Sequence, residues 1–191
     1  MEPLAKKDFV KEKGVGSVLY NLGLGCLGIS VLGPRLADQF GIVRSASKKF
    51  STFEEFYPFY LSQHENDTCR HLHFLGSILV LLMMAMDSSI LVSMFFAACA
   101  GYGTMHLTRG MDSGIVEFAV TLFVLIHAQK KIAGKSLMKS LRVPLIGYVF
   151  AWIGHFYFEK NKPATFIYPI YSLCGDFKML YEFLNAFAIR K

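Results

Sequence analysis

Five apolar stretches, residues 15–32, 74–86, 90–102, 115–126 and 144–158, recur along this 191-residue chain, most of them separated by short polar breaks. No other feature limits the fold as strongly, because each stretch has to be shielded from water by a neighbouring helix or by lipid. Of the residues, 53% are hydrophobic and only 18% charged, against about 25% charged in an average soluble domain. The expected fold class is all-α: a small integral membrane helical bundle of about four short apolar helices in two hairpins, with an N-terminal apolar segment and interfacial helices. The stretches fall short of the roughly 20 residues of a straight crossing, so hairpins that dip in without spanning are expected among them. A soluble helical bundle is the alternative.

The net charge of +6 is carried in clusters: Lys6, Lys7, Lys11 and Lys13; Arg35, Arg44, Lys48 and Lys49; and Lys130, Lys131, Lys135, Lys139 and Arg142. Basic groups beside apolar helices flank a membrane or touch anionic lipid. No base-stacking pattern accompanies them, which argues against nucleic acid as a partner. The four cysteines, Cys26, Cys69, Cys99 and Cys174, form no CxxC pair, so neither a disulfide framework nor a structural zinc site is implied. Residues 1–50 read as an N-terminal extension: a charged start, a glycine-rich apolar segment at 15–33, and a basic linker. That segment fits a signal peptide, a signal anchor or a membrane helix; with no A-x-A cleavage site, a retained anchor is preferred. Residues 51–191 read as the main domain, and nothing in the sequence specifies an oligomeric state.

The decapeptide HENDTCRHLH, residues 64–73, holds half of the six histidines in the chain. Ahead of it, Phe53, Phe56, Tyr57, Tyr60 and Leu61 recur at helical spacing behind Glu54 and Glu55, which predicts an interfacial helix bent at Pro58. Asn66, Asp67 and Thr68 are capping residues, so a new helix is expected to start there and to run from Cys69 into the apolar stretch. That break matters, because on one continuous helix His64 and His73 would point to opposite faces at about 100° per residue. A turn between them lets both face one point. His71, about 200° around the helix from His73, is expected outside any shared site.

Further breaks are expected at residues 86–89 and 108–112, with the final apolar helix entered through Pro144 and a last helix over 177–189. Four apolar helices between His73 and His155 make an even number of passes, which returns the two histidines to one side. In GHFYFEK, residues 154–160, His155 and Glu159 are spaced i,i+4 and share a helix face. An ionisable pair at the polar end of an apolar helix is costly unless it has a partner or a task. Three imidazoles drawn from separate segments suit iron, zinc or copper and leave coordination positions open.

Glu159 is expected as a direct ligand or, in preference, as a carboxylate that orients an imidazole. Asn66 either caps the turn or hydrogen-bonds a ligand. Histidines that merely end helices are the plain alternative, and His106 and His127, at helix ends without a motif, are read that way. Arg70 faces either Asp67 or an acidic headgroup. Membrane desaturases carry HxxHH boxes; this chain has none, and it also lacks a phosphate-binding glycine loop and a CxxCH haem motif.

On the stretches FEEFYPFYLSQHEN, RHLHFLGS, AWIGHFYFEKNKPATFIYP and SLCGDFKM, the chain resembles a membrane family long catalogued as a domain of unknown function. Its characterised fungal member is an iron(II)-dependent 2-hydroxy fatty acid dioxygenase of the endoplasmic reticulum. The family pattern has a histidine and asparagine, a later histidine that opens the first membrane helix, and a late G-H-x-x-x-E-K-x-x-P-A. It falls on His64, Asn66, His73, Gly154, His155, Glu159, Lys160, Pro163 and Ala164. Glu65 stands where the dioxygenase has a second histidine, and Cys69 where it has a second asparagine. The resemblance implies Fe(2+) as cofactor and a 2-hydroxy fatty acid and O2 as substrates. It implies removal of one carbon, as in phytosphingosine breakdown, by a protein surrounded by membrane lipids of the endoplasmic reticulum. His64, His73 and His155 would be the metal ligands, with Glu159 and Asn66 supporting catalysis and the acyl tail among the apolar helices. A non-catalytic lipid-binding or scaffold protein of the membrane is the alternative, and a bis-histidine haem protein a third.

Overall fold

Residues 4–41 and 47–189 are described by a computed structural model, and among them there are seven α-helices and no strand. In chain order these are α1 (Leu4–Gln39), α2 (Phe53–Ser62), α3 (Asp67–Met86), α4 (Ser88–Leu107), α5 (Ile115–Ala133), α6 (Leu137–Ile153) and α7 (Pro169–Ile189). A π-helical turn at Gly154–Glu159 continues α6, and a 3-10 turn at Ala164–Phe166 precedes α7. Of the basic clusters, Arg44 and the side chains of Lys6, Lys7, Lys11 and Lys13 lie outside the described residues.

The apolar helices are longer than the apolar stretches, because each starts or ends in polar capping residues. Asn66 accepts the Thr68 and Cys69 N–H groups at 2.9 and 3.3 Å and so opens α3. Asp87 closes α3 and caps α4, accepting the Ser89 N–H at 3.1 Å. Three helices are thereby long and apolar enough to cross a membrane: Asp67–Met86, Ser88–Leu107 and the continuous run Leu137–Glu159. At 1.5 Å per residue a 20-residue helix is about 30 Å long, the thickness of a hydrocarbon core. Helices that only dip in are therefore not needed to explain these three. α5 is nearly as long but carries Glu117, Lys130 and Lys131, and it is not among them.

α3 lies against α6, and α4 packs between α1 and α5. The α1 helix runs through Pro34 to Gln39, where a linker is expected from sequence. Packing on α4 accounts for this. The Ser30 hydroxyl donates to the Cys99 carbonyl at 2.7 Å, and Gly33 lies so close to Gly103 that any Cβ would collide with its carbonyl. α6 likewise begins before Pro144, at Leu137, with Ser136 as its cap. α7 begins at Pro169 rather than Phe177, proline being well suited to a first helical position. α2 is capped by Thr52 and Glu55 in a reciprocal capping box. Its aromatic face is buried against the α7 region, with the Phe56 ring 5.1 Å from Tyr168 and 5.5 Å from Tyr171.

Candidate metal centre

The short turn between α2 and α3 sets His64 beside the first turns of α3, where His73 lies; His155 reaches the same place from the π turn after α6. The ring centroids are 4.5 Å apart for His64 and His73, 4.7 Å for His64 and His155, and 5.0 Å for His73 and His155. All three are buried, at 0%, 5% and 2% exposure.

Each ring is held through Nδ1. His64 Nδ1 lies 2.7 Å from the Tyr60 carbonyl, His73 Nδ1 2.6 Å from Asp176 Oδ1, and His155 Nδ1 2.7 Å from Asn161 Oδ1. A carbonyl and a carboxylate only accept, and Asn161 donates its amide to the Gln63 carbonyl at 3.0 Å. The Nδ1–H tautomer is therefore assigned to all three from their partners, leaving a lone pair on each Nε2. His64 Nε2 and His73 Nε2 are buried without a hydrogen-bond partner, which costs about 1–3 kcal/mol per group unless a ligand meets them. Anchored Nδ1–H groups behind free Nε2 lone pairs are what metal-binding histidines use.

The electrostatics agree. Burial, and next the His73 ring beside it, lower the His64 pKa to about 3, so this imidazole is neutral at physiological pH. Burial pushes the Asp176 carboxyl up, but the adjacent His73 and the hydrogen bonds from His73 and Tyr60 outweigh it and hold the group below its ordinary value. The Tyr60 phenol, buried beside that carboxylate, is raised well above its ordinary value and donates to Asp176 Oδ1 at 2.5 Å. Asp176 thus remains a carboxylate that ties α2, α3 and α7 together at the histidines.

Cys69 is a further donor. Among the described residues, the donor atoms that lie within 4.8 Å of one another, a group able to hold a metal ion, are those of His64, Cys69 and His155; the His73 ring stands beside this group and is not one of its members. Two glycines allow the close approach. A Cβ on Gly154 would stand 2.8 Å from Cys69 Sγ, and one on Gly175 would stand 3.0 Å from Tyr60 ring atoms.

The three histidines named from sequence thus come together, whereas Asn66 and Glu159 meet each other. The Asn66 backbone N–H donates to Glu159 Oε1 at 2.6 Å, while its side chain caps α3. The side chain on His155 Nδ1 is that of Asn161. The wider winding of the π turn and a left-handed Lys160, at φ 55°, shift the phase after His155. Arg70 Nε donates to the His64 carbonyl at 2.5 Å and faces Asp67 at 3.7 Å. His71 is exposed beside Phe74 and Phe183, and His106 and His127 pair with Tyr102 and Phe123. Asp176 escapes a reading of the sequence, since it lies 103 residues from His73. Its only local signal is a lone acid in SLCGDFKM.

No curated protein and no solved structure matches the chain. A family model does, described as 2-hydroxy-palmitic acid dioxygenase Mpo1-like, and it matches residues 50–187. That range takes in the three histidines, Cys69, Asn161 and Asp176, and leaves α1 outside. With well over half of its length matched, the chain belongs to the 2-hydroxy-palmitic acid dioxygenase Mpo1-like family.

Proposed function

We propose that this chain is an iron(II)-dependent dioxygenase that removes one carbon from 2-hydroxy fatty acids, in fatty acid and sphingolipid breakdown at the endoplasmic reticulum membrane. The observation that carries the reading is the buried trio of imidazoles, each with its Nδ1 engaged, with the Nε2 of His64 and of His73 left unpartnered. His64, His73 and His155 are the proposed ligands, and neutral imidazoles suit iron. Bound iron would supply a Lewis-acid anchor for the substrate's carboxylate and 2-hydroxyl together with redox chemistry toward O2.

The protein's own part is to hold the rings. Asp176 fixes the His73 ring and raises its basicity, and Asn161 and the Tyr60 carbonyl do the same for His155 and His64. Glu159 and Asn66 join the π turn to the head of α3 and so set His155 against His73. The surrounding helices exclude water. A centre at the polar end of helices apolar enough to cross a membrane suits a substrate with an acid head and an alkyl tail.

Oxygen uptake by the detergent-purified, iron-loaded protein with a chain-length series of 2-hydroxy acids tests this, with product analysis for the acid one carbon shorter. Uptake with that product in the wild type, and its loss in His73→Ala, is the expected result. Iron-loaded protein that consumes no oxygen with any acid overturns the reading and leaves a lipid-binding or scaffold role.

A further inference from the structure

Beside His73 the bundle holds a cavity of about 110 Å³. α3 lines it with His73, Gly76, Ser77 and Val80, one helix face at i, i+3, i+4 and i+7. α6 lines it with Ala151, Gly147, Pro144 and Val143, again a single face. Both ladders lead away from the metal group. From His73 to Val80 is about 10 Å along α3, and Val143 lies about 18 Å along α6 from His155. Asp176 also borders the cavity, so one end carries the polar groups that hold His73.

The remainder is apolar or hydroxyl-bearing, and the Thr121 hydroxyl is already engaged with the Glu117 carbonyl at 2.7 Å. Gly76 brings α3 close against α6, where a Cβ would stand 3.3 Å from the Gly147 carbonyl, and Ala97, Ala98 and Ala151 are the small side chains of the wall. One end meets a packed apolar cluster. Val80 and Val143 form an apolar layer with Ile90, against which Met83, Met84, Met94 and Phe177 pack. Of these, Val80, Val143, Met94 and Phe177 also face the cavity. Away from His73 and Asp176 the lining is mostly apolar, which suits an apolar ligand.

We propose that this cavity holds the alkyl tail of the acid and that its floor, Val80, Met94 and Val143, sets the chain length the site accepts. The assignment rests on the fatty acid reading above and adds where the tail goes and what limits it. The methionine in the floor makes the limit graded, since an unbranched thioether side chain repacks easily.

The test is displacement of a fluorescent fatty acid from the full, detergent-purified chain by straight-chain acids from short to long, with and without a 2-hydroxyl. Val143→Phe fills the lower bore and is expected to weaken long acids relative to short ones by about fourfold per excluded methylene, the equivalent of about 0.8 kcal/mol for one buried CH2. Met94→Ala deepens the bore and is expected to move the optimum to longer acids; it carries the test where Val143→Phe does not fold. A length profile that neither variant moves, or a wild-type affinity that rises with length without an optimum, overturns the assignment. Acids that bind with this length limit but cause no oxygen uptake support the cavity and overturn the reaction. Uptake with a length profile unmoved by either variant does the reverse.

Discussion

Two groups of polar side chains are buried in this bundle, and their needs are met in opposite ways. Near the start of α5, Glu117 pairs with Lys48, and the Thr108 hydroxyl donates to the same carboxylate oxygen at 2.5 Å. The N–H groups of Ser47 and Lys48 converge on the Arg109 carbonyl, and the Arg109 guanidinium meets the Ser51 hydroxyl. Charge faces opposite charge there, with one Glu117 oxygen left over. At the histidines the outward nitrogens are anchored and the inward ones at His64 and His73 are free. A buried polar cluster that neutralises itself holds the fold, whereas one that leaves buried lone pairs unpartnered beside a donor group is open to a ligand. His106 marks the boundary: its Nε2 is also unpartnered, yet its ring stands against Tyr102 and not against the other imidazoles.

The sharpest break would come from the ligands. Replacing His64, His73 or His155 by alanine is expected to lower iron content and oxygen uptake by more than about a hundredfold, beyond the roughly 10–100-fold typical of residues behind the ligands. Circular dichroism should show the helices retained. At the other cluster, Lys48→Ala leaves a buried carboxylate alone and is expected to cost about 3–5 kcal/mol in unfolding experiments. Iron per folded chain should stay unchanged, and the double replacement Lys48→Met with Glu117→Leu should recover most of the loss. Iron lost before stability in either variant would erase the contrast between the clusters.

Smaller changes sharpen it. Asp176→Asn keeps the shape but removes the charge behind His73, and iron affinity measured by competition with a chelator should weaken about 10–100-fold. Smallest is Asn66→Ala, which removes the α3 cap and is expected to cost about 1 kcal/mol of stability. Its backbone bond to Glu159 does not depend on the side chain. A large loss of iron in this variant would move Asn66 from the frame into the centre.

What can be read from sequence here is what depends on local pattern. Asn66-Asp67-Thr68 advertise a helix start, so the turn that lets His64 and His73 meet is legible, as is the apolar run that carries His155 back to them. What depends on a change of winding is not. Counted at i,i+4, His155 and Glu159 share a face, but the π turn and the left-handed Lys160 hand the imidazole to Asn161 instead. Nor is a partner from a distant helix legible: Asp176 reaches His73 because Gly175 lets α7 lie on the Tyr60 ring. The end of α1 is obscured for a similar reason, since contact with α4 at Ser30 and Gly33 sets the helix just ahead of Pro34.

The central claim, that three histidines hold iron, is tested most directly by elemental analysis and an absorption spectrum of protein purified and reconstituted without oxygen. The expected result is about one non-haem iron per chain, with no Soret band, in the wild type and almost none in His155→Ala. Wild-type protein that takes up no iron, or a His155→Ala variant that keeps it, would contradict the account.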